Sequence, residues 1–406
     1  MGDKRASARV QLDSSSEEGL GHSHGNETGD INYVPDEYTP TTKLFSLNYV
    51  MVLLGFGMAF VGSQLQPLLF AAIIPVVSAE FHASNLLVWL FCTQQIATGV
   101  IAPFAGSLSD LFGRKKITIA GVISSMLGMI VSAATPTAAG YLAGQVFNGI
   151  GIAIQELMAI AAIAEIVPTK YRGYHIAIVV ASFLPFAPAS LYGALIAERN
   201  WRYCAALIAI WNAITAVILG LFYHPPPRHN TQGLWEKVKK IDILGGVIMT
   251  IGLVLLLVAL NLGGQSEPWS STRVICCLTF GIALLISFFV YEVFAPSPMF
   301  PRSLLRHPRT FSALMVVILL AGINYVSLLV FWVLEAVSVY NSNQVELGIR
   351  TLPYGFCIMG GAIMSAILIS LFKGYLRSIM TAFCIVQVIG NPPPLYGMPF
   401  HHLTDE

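Results

Sequence analysis

The chain has 406 residues, 55% of them apolar and 11% charged, with a formal net charge of +1 and a mean hydropathy of +0.71. Soluble domains carry about 25% charged residues, so the composition excludes an ordinary water-soluble globular protein. The net charge itself says little; where the charges fall says more.

Residues 1–44 are polar and include Ser14-Ser15-Ser16-Glu17-Glu18. They hold too little apolar surface to fold and read as a disordered tail. No apolar core with a cleavage site leads the chain, so a signal peptide is not expected. His22 and His24 have no third ligand nearby, and no metal site is expected there.

Apolar segments of crossing length, about 20 residues, follow. They run Tyr49–Pro75, Leu86–Leu108, Ile117–Ala134, Tyr141–Ile163, Tyr174–Ala197 and Tyr203–Tyr223. A basic connection with Pro225-Pro226-Pro227 and Lys237 to Lys240 separates them from Ile243–Leu262, Val274–Tyr291, Phe311–Leu334 and Thr351–Leu371.

The second and third segments leave room only for a tight turn, Gly106 to Lys116. Gly113 allows a positive φ where the chain reverses. Gly106 leaves space for another helix to approach. Asp110 sits at the water interface, facing the bases or the positive end of a neighbouring helix. Arg114, Lys115 and Lys116 hold the turn in the cytoplasm. Any short cytoplasmic loop carries a few bases; the acid and two glycines at these spacings favour a specific loop.

The fourth segment carries Gln145, Asn148, Gln155 and Glu156. Glu156 is the one ionisable residue at mid-depth in any segment. A carboxyl there is costly and usually faces a bundle interior or water-filled cavity, where it can hold a proton in one state and release it in another. At about 100° per residue, Gln145 and Glu156 fall within roughly 20° of each other. The alternative reading is a structural hydrogen bond to a neighbouring helix. Gln64, Gln66, Gln94, Gln95, Asn324 and Tyr325 add polar groups to other segments, as a ligand cavity needs and as interhelical bonding also uses. Gly140, Gly144, Gly149, Gly151, Gly360 and Gly361 read as close-packing positions. The six cysteines lie in apolar runs, with no disulfide framework or metal-ligand spacing.

After Arg377 the apolar run reaches only Gly390, then meets Asn391-Pro392-Pro393-Pro394. This is short of a crossing and reads as a truncation, with a re-entrant segment as the alternative. Alternating sides from a cytoplasmic N-terminus puts only Arg199, Arg202, Arg273 and Arg350 outside, of 22 Lys and Arg. That asymmetry supports the number of segments.

The pattern Gly106-x-x-x-Asp110-x-x-Gly113-Arg114-Lys115-Lys116 resembles the loop between helices 2 and 3 of the major facilitator superfamily. The resemblance implies that Asp110 locks one conformation by docking on the opposite half. Asn200-Trp201-Arg202, Asp242-Ile243-Leu244-Gly245-Gly246, Gly263-Gly264, Pro268-Trp269, Tyr291-Glu292 and Leu352-Pro353 resemble the fourteen-helix drug:proton antiporter group. Gly149-Ile150-Gly151, Gln155-Glu156 and Pro168 to Gly173 are most similar to fungal trichothecene efflux pumps and their siderophore-transporter relatives. Two departures bear on proton antiport. Gln145 stands where the family often has an arginine, and Ala187-Pro188-Ala189-Ser190-Leu191-Tyr192-Gly193 only partly matches the helix 5 antiporter motif.

The expected architecture is an all-α multi-pass membrane protein of the major facilitator fold, C-terminally truncated, with about ten complete transmembrane helices. Its expected parts are a cytoplasmic tail (1–44), a six-helix bundle (45–223), a cytoplasmic loop (224–242), two linker helices (243–293), a partial C-terminal bundle (294–391) and a polar tail (392–406). No enzyme is expected, because no phosphate-cradling loop, metal-ligand cluster or paired nucleophile and base is present. The expected function is proton-coupled efflux of a hydrophobic metabolite, toxin or drug across the plasma membrane. The expected switch loop is Gly106, Asp110, Gly113, Arg114, Lys115 and Lys116. The expected proton and substrate pathway is Glu156, Gln155, Gln145, Asn148, Gln66, Gln95, Asn324 and Tyr325. Expected partners are a small hydrophobic molecule, a proton and the lipid bilayer, with no cofactor, metal or nucleic acid. The alternatives are a siderophore-type importer and a truncated, non-transporting membrane protein.

Overall fold

The computed structural model describes residues 46–83, 86–168, 171–225, 242–264, 267–295, 308–338, 344–372 and 375–390. The polar tails, His22 and His24, and the basic connection at 226–241 lie outside the described residues. In lipid, backbone polar groups must be satisfied within the segment, and the described residues are accordingly helical, with one isolated bridge between Gly263 and Glu267.

The helices are α1 (Leu47–Ala71), α2 (Ile74–Glu80), α3 (Leu87–Phe112), α4 (Arg114–Ala134), α5 (Ala138–Ile166), α6 (Arg172–Ala181), α7 (Ala189–Ala197) and α8 (Arg202–Phe222). Then come α9 (Ile243–Leu262), α10 (Thr272–Phe294), α11 (Pro308–Ser338), α12 (Gln344–Arg350), α13 (Leu352–Leu371) and α14 (Leu376–Gly390). Among the described residues, nine stretches are long and apolar enough to cross a bilayer. α11 has 31 residues, about 46 Å at 1.5 Å per residue. α14 has 15, about 22 Å, shorter than a hydrocarbon core of about 30 Å.

Side chains cap the helix starts where the sequence supplies them. Ser46 accepts from Tyr49 N at 3.2 Å, Thr137 from Gly140 N at 3.2 Å, and Asp242 from Gly245 N at 2.9 Å. Each answers one of the donors that a helix start leaves unpaired.

Two expected segments are interrupted. The first stops at Ala71, and the chain re-forms α2 only at Ile74. The fifth breaks between α6 and α7, where Leu184–Phe186 forms a 3-10 turn. Pro185 and Pro188 lack the N–H that a continuous helix needs. The Pro185 carbonyl freed by the break accepts from Tyr192 OH at 3.2 Å, and beside the break Ser182 Oγ donates to Gly57 O of α1 at 3.1 Å.

The first eight helices share one buried core that includes Phe56, Phe70, Phe183 and Trp201. α4 and α5 approach most closely where glycines meet. A Cβ on Gly151 would lie 2.5 Å from Gly121 O, and one on Gly144 would lie 2.6 Å from Gly128 O. With no hydrophobic drive between helices in lipid, such close backbone approach is a main source of packing energy. Gly360 and Gly361 depart from the expectation of close packing: among the described residues no heavy atom lies within 4 Å of a Cβ built at either.

The later helices lean on this bundle. α9 pairs with α10 and touches α3, while α12 packs on α7 and α13 on α6. Phe104 of α3 fills the space over Gly246 of α9. The break in the fifth segment meets α13, where a Cβ on Gly355 would lie 2.0 Å from Ala187 O.

Candidate functional site: a carboxyl at mid-membrane and a turn of bases

Glu156 stands on α5, ten residues before the helix ends at Ile166. At 1.5 Å per residue, that places it about 15 Å along the helix from that end. Gln64 of α1 lies near enough to act on its carboxyl. Tyr325 of α11 lies within electrostatic reach of the same carboxyl. The acid therefore faces both the first bundle and a helix from the second part of the chain. Tyr325 stacks on Tyr354 of α13, with centroids 6.3 Å apart, and Tyr354 OH donates to Tyr325 O at 2.9 Å. Asn324 is half-buried beside it on α11. Phe186 and Trp211 form an edge-on pair at 4.9 Å, and Trp211 Nε1 donates to Met58 O at 2.8 Å.

The other polar residues of α5 are placed differently. Gln145, Asn148 and Gln155 are wholly buried, inside the bundle. Gln66 Nε2 donates to Gln145 Oε1 at 3.1 Å, and Gln145 Nε2 to Ser132 Oγ at 3.2 Å. Ser125 Oγ donates to Asn148 Oδ1 at 2.7 Å and accepts from Asn212 Nδ2 at 3.1 Å. These amides bond α1, α4, α5 and α8 together. Ser125, Ser132 and Asn212 were not singled out from the sequence, because a serine or asparagine in an apolar run carries no signal of its partner. Gln95 is half-exposed on α3, while its neighbour Gln94 is buried.

The turn between α3 and α4 is a single residue, Gly113, with φ +92°. Asp110 Oδ1 lies 3.7 Å from Arg114, one turn on. Arg114 also pairs with Glu165 near the end of α5 at 2.5 Å. Lys115 Nζ donates to Gly220 O at 2.8 Å, where its charge meets the negative end of α8. Lys116 is exposed. Gly106 differs from the expectation of a close helix contact: it is exposed, and among the described residues nothing lies within 4 Å of a Cβ built there.

At the opposite ends of the helices, Glu80 accepts from both Trp201 Nε1 and Arg202. Arg202 also donates to Ala133 O at 3.0 Å and Thr135 O at 3.1 Å, and lies 4.8 Å over the Trp201 ring. Burial opposes the Glu80 charge, but the Arg202 and Trp201 hydrogen bonds outweigh it and hold the carboxyl below its ordinary range. Among the described residues no group of three His, Cys, Asp or Glu is placed to hold a metal ion.

The chain is 25% identical over 345 residues to the Acurin A biosynthesis cluster MFS-type transporter of Aspergillus aculeatus, covering 83% of this chain and 61% of that protein. It is 23% identical over 386 residues to the efflux pump hmp6 of Hypomyces subiculosus, covering 92% of this chain and 66% of that one. A solved structure of the xylose transporter XylE from E. coli, in a partially occluded inward-open conformation, covers 84% of this chain and 89% of its own, at 14% identity and a TM-score of 0.45. The chain thus spans about three-fifths of the length of the first curated relatives it matches. The family model described as the Major Facilitator Superfamily matches residues 45–391, most of the chain; the chain belongs to that superfamily.

Proposed function

We propose that the whole protein is a secondary active transporter that exports a small hydrophobic metabolite, toxin or drug in exchange for protons. The observation that carries this reading is the position of Glu156 within α5, with Gln64 of α1 and Tyr325 of α11 near enough to act on its carboxyl. A carboxyl at that depth is costly when charged, so gaining and losing a proton changes its bonding to both parts of the chain. In alternating access, one half rocks against the other around a site near the midplane. The aromatic pairs Tyr325–Tyr354 and Phe186–Trp211 supply apolar walls for such a ligand. Gln145, Asn148 and Gln66 hold the bundle behind this site, Gln155 is buried beside them, and Gln95 and Asn324 remain candidates to touch the ligand.

The turn from Gly106 to Lys116 acts on this reading as the cytoplasmic switch. Arg114 between Asp110 and Glu165, with Lys115 on the end of α8, ties α3, α4, α5 and α8 into one unit. The N-terminus lies in the cytoplasm and the membrane is the plasma membrane. The parts of the chain are a six-helix half, a linker pair and the start of the second half.

The test is flux in proteoliposomes that hold the full-length protein under an imposed pH gradient, with the hydrophobic dye rhodamine 6G as cargo. Glu156→Gln keeps the size and shape of the side chain but cannot ionise. Gradient-driven flux is expected to fall at least tenfold, about 1.4 kcal/mol of coupling. Undiminished flux in Glu156→Gln removes Glu156 from the mechanism.

A further inference from the structure

Between α4 and α8 the outer wall of the first bundle is furrowed. The furrow encloses about 460 Å³ and is lined by Met126, Ile130 and Ala134 of α4 and by Ala206, Ala209 and Ala213 of α8. Alanines at these positions of α8 leave the space open, where larger side chains would fill it. Its rims are exposed: Ile130 is 46% and Ile210 61% accessible. Both helices are long and apolar enough to cross a bilayer, so the furrow opens to lipid.

One end of the furrow is polar. Arg202, one turn of α8 before Ala206, donates from Nε to the carbonyl of Ala133, another lining residue, at 3.0 Å. Tyr203 beside it is 61% exposed, and exposed tyrosines of spanning helices mark the headgroup level. The furrow therefore starts at the headgroups and runs toward the bilayer centre. From Ala134 to Met126 is about 12 Å of helix. Spread over that length, the volume gives a cross-section of about 38 Å², against roughly 80–110 Å² for a helix with its side chains. A helix of a second copy is too wide to enter; a single hydrocarbon chain is not.

We infer that the furrow holds one acyl chain of a bilayer phospholipid, whose phosphate lies beside Arg202. No hydrophobic drive favours a site within lipid. A chain lodged between two helices gains instead from dispersion, because its carbons touch a densely packed wall on several sides. Arginine has five N–H donors. Three are taken, by Ala133 O, Glu80 and Thr135 O, and the side chain stays 28% exposed. The two others can meet a phosphate, a strong acceptor for guanidinium, whereas a sterol offers only a neutral hydroxyl. The site is apart from Glu156, and it stands whether or not the protein couples transport to protons.

The test reconstitutes the full-length protein in nanodiscs of phosphatidylcholine that bears a diazirine in one acyl chain. The sample is moved to detergent, which strips loosely held lipid, and then irradiated; labelled peptides are mapped by mass spectrometry. Label is expected on residues 126–134 and 206–213, in excess of the exposed face of α10 around Phe280, Ile286 and Phe289. Ala206→Leu combined with Ala213→Leu fills the furrow from two half-buried positions. This variant is expected to lower that label about fivefold or more, through loss of on the order of ten carbon contacts, and to leave α10 unchanged. Should it fail to fold, Ala134→Leu, at an exposed position, takes its place. Label spread evenly over the exposed faces, or undiminished in the filled variant, means annular lipid only and overturns the inference. Displacement of the label by cholesterol overturns it too, as does a dimer that the filled variant abolishes.

Discussion

At the scale of single residues, Glu80 is the clearest case of a side chain whose charge is held in place. It gathers Trp201 and Arg202, and Arg202 in turn caps the carbonyls at the end of α4. Because its carboxyl is held below the ordinary value, the stability it adds is present above the unfolded-state value, about 4.3. That stability is lost as pH falls through the lower folded-state value. Thermal unfolding in detergent from pH 7 down to pH 3 is expected to show this loss. Glu80→Gln should be less stable at pH 7 and should flatten the acid limb. An acid limb unchanged in the variant would show that the pairing contributes nothing.

Some of this was legible in residue types and some was not. Asn200-Trp201-Arg202 stood out as a pattern, but its partner Glu80 lies about 120 positions earlier and nothing local points to it. Gln145 was legible as a polar residue in an apolar run; that it bonds Gln66 and Ser132 depends on how three helices meet. Gly106 misled because a glycine reports only a missing side chain, and both an open surface and a close contact allow that.

At the scale of helices, the spacing of glycines sets how closely α4 and α5 pack. Gly121 and Gly128 lie seven residues apart, as do Gly144 and Gly151, and two turns of helix bring each pair to one face. Gly151→Ala would place its methyl carbon 2.4 Å from Ser125 N and 2.5 Å from Gly121 O. Alanine gains about 1 kcal/mol in helix propensity over glycine. The clash is with backbone, which cannot rotate away, and overpacking of this kind costs about 1–3 kcal/mol. The net expectation is a destabilised protein, read as a lower melting temperature in detergent. A stabilised Gly151→Ala would mean that α4 and α5 are farther apart than described. Apolar length and turn residues made most helix positions legible. They missed the break at Ser182–Pro188, because Pro185 and Pro188 lie within a run apolar enough to be read straight through.

At the scale of the whole molecule, the order of helices puts the α3–α4 turn on one membrane face. The chain crosses an even number of times from there to neither Arg199 nor Arg273, so both lie on the other face. A cysteine-free chain carrying Lys116→Cys or Arg199→Cys tests this with a membrane-impermeant maleimide. Arg199→Cys is expected to react on intact cells, and Lys116→Cys only after the membrane is opened. Labelling of both from one side would contradict the crossing order. The expectation rests on the imbalance of bases, since Lys and Arg near the ends of crossings are retained on the cytoplasmic side.

The one-residue joint at Gly113 has a further consequence. Read as letters, Arg114-Lys115-Lys116 is a triple target for trypsin, which cleaves only backbone that it can draw out into an extended strand. Here the three residues form the first turn of α4, Arg114 is clasped by Glu165, and Lys115 is tied to the end of α8. The four helices joined there, α3, α4, α5 and α8, would have to loosen before a protease could thread that bond, so the most basic run among the described residues is sheltered from digestion.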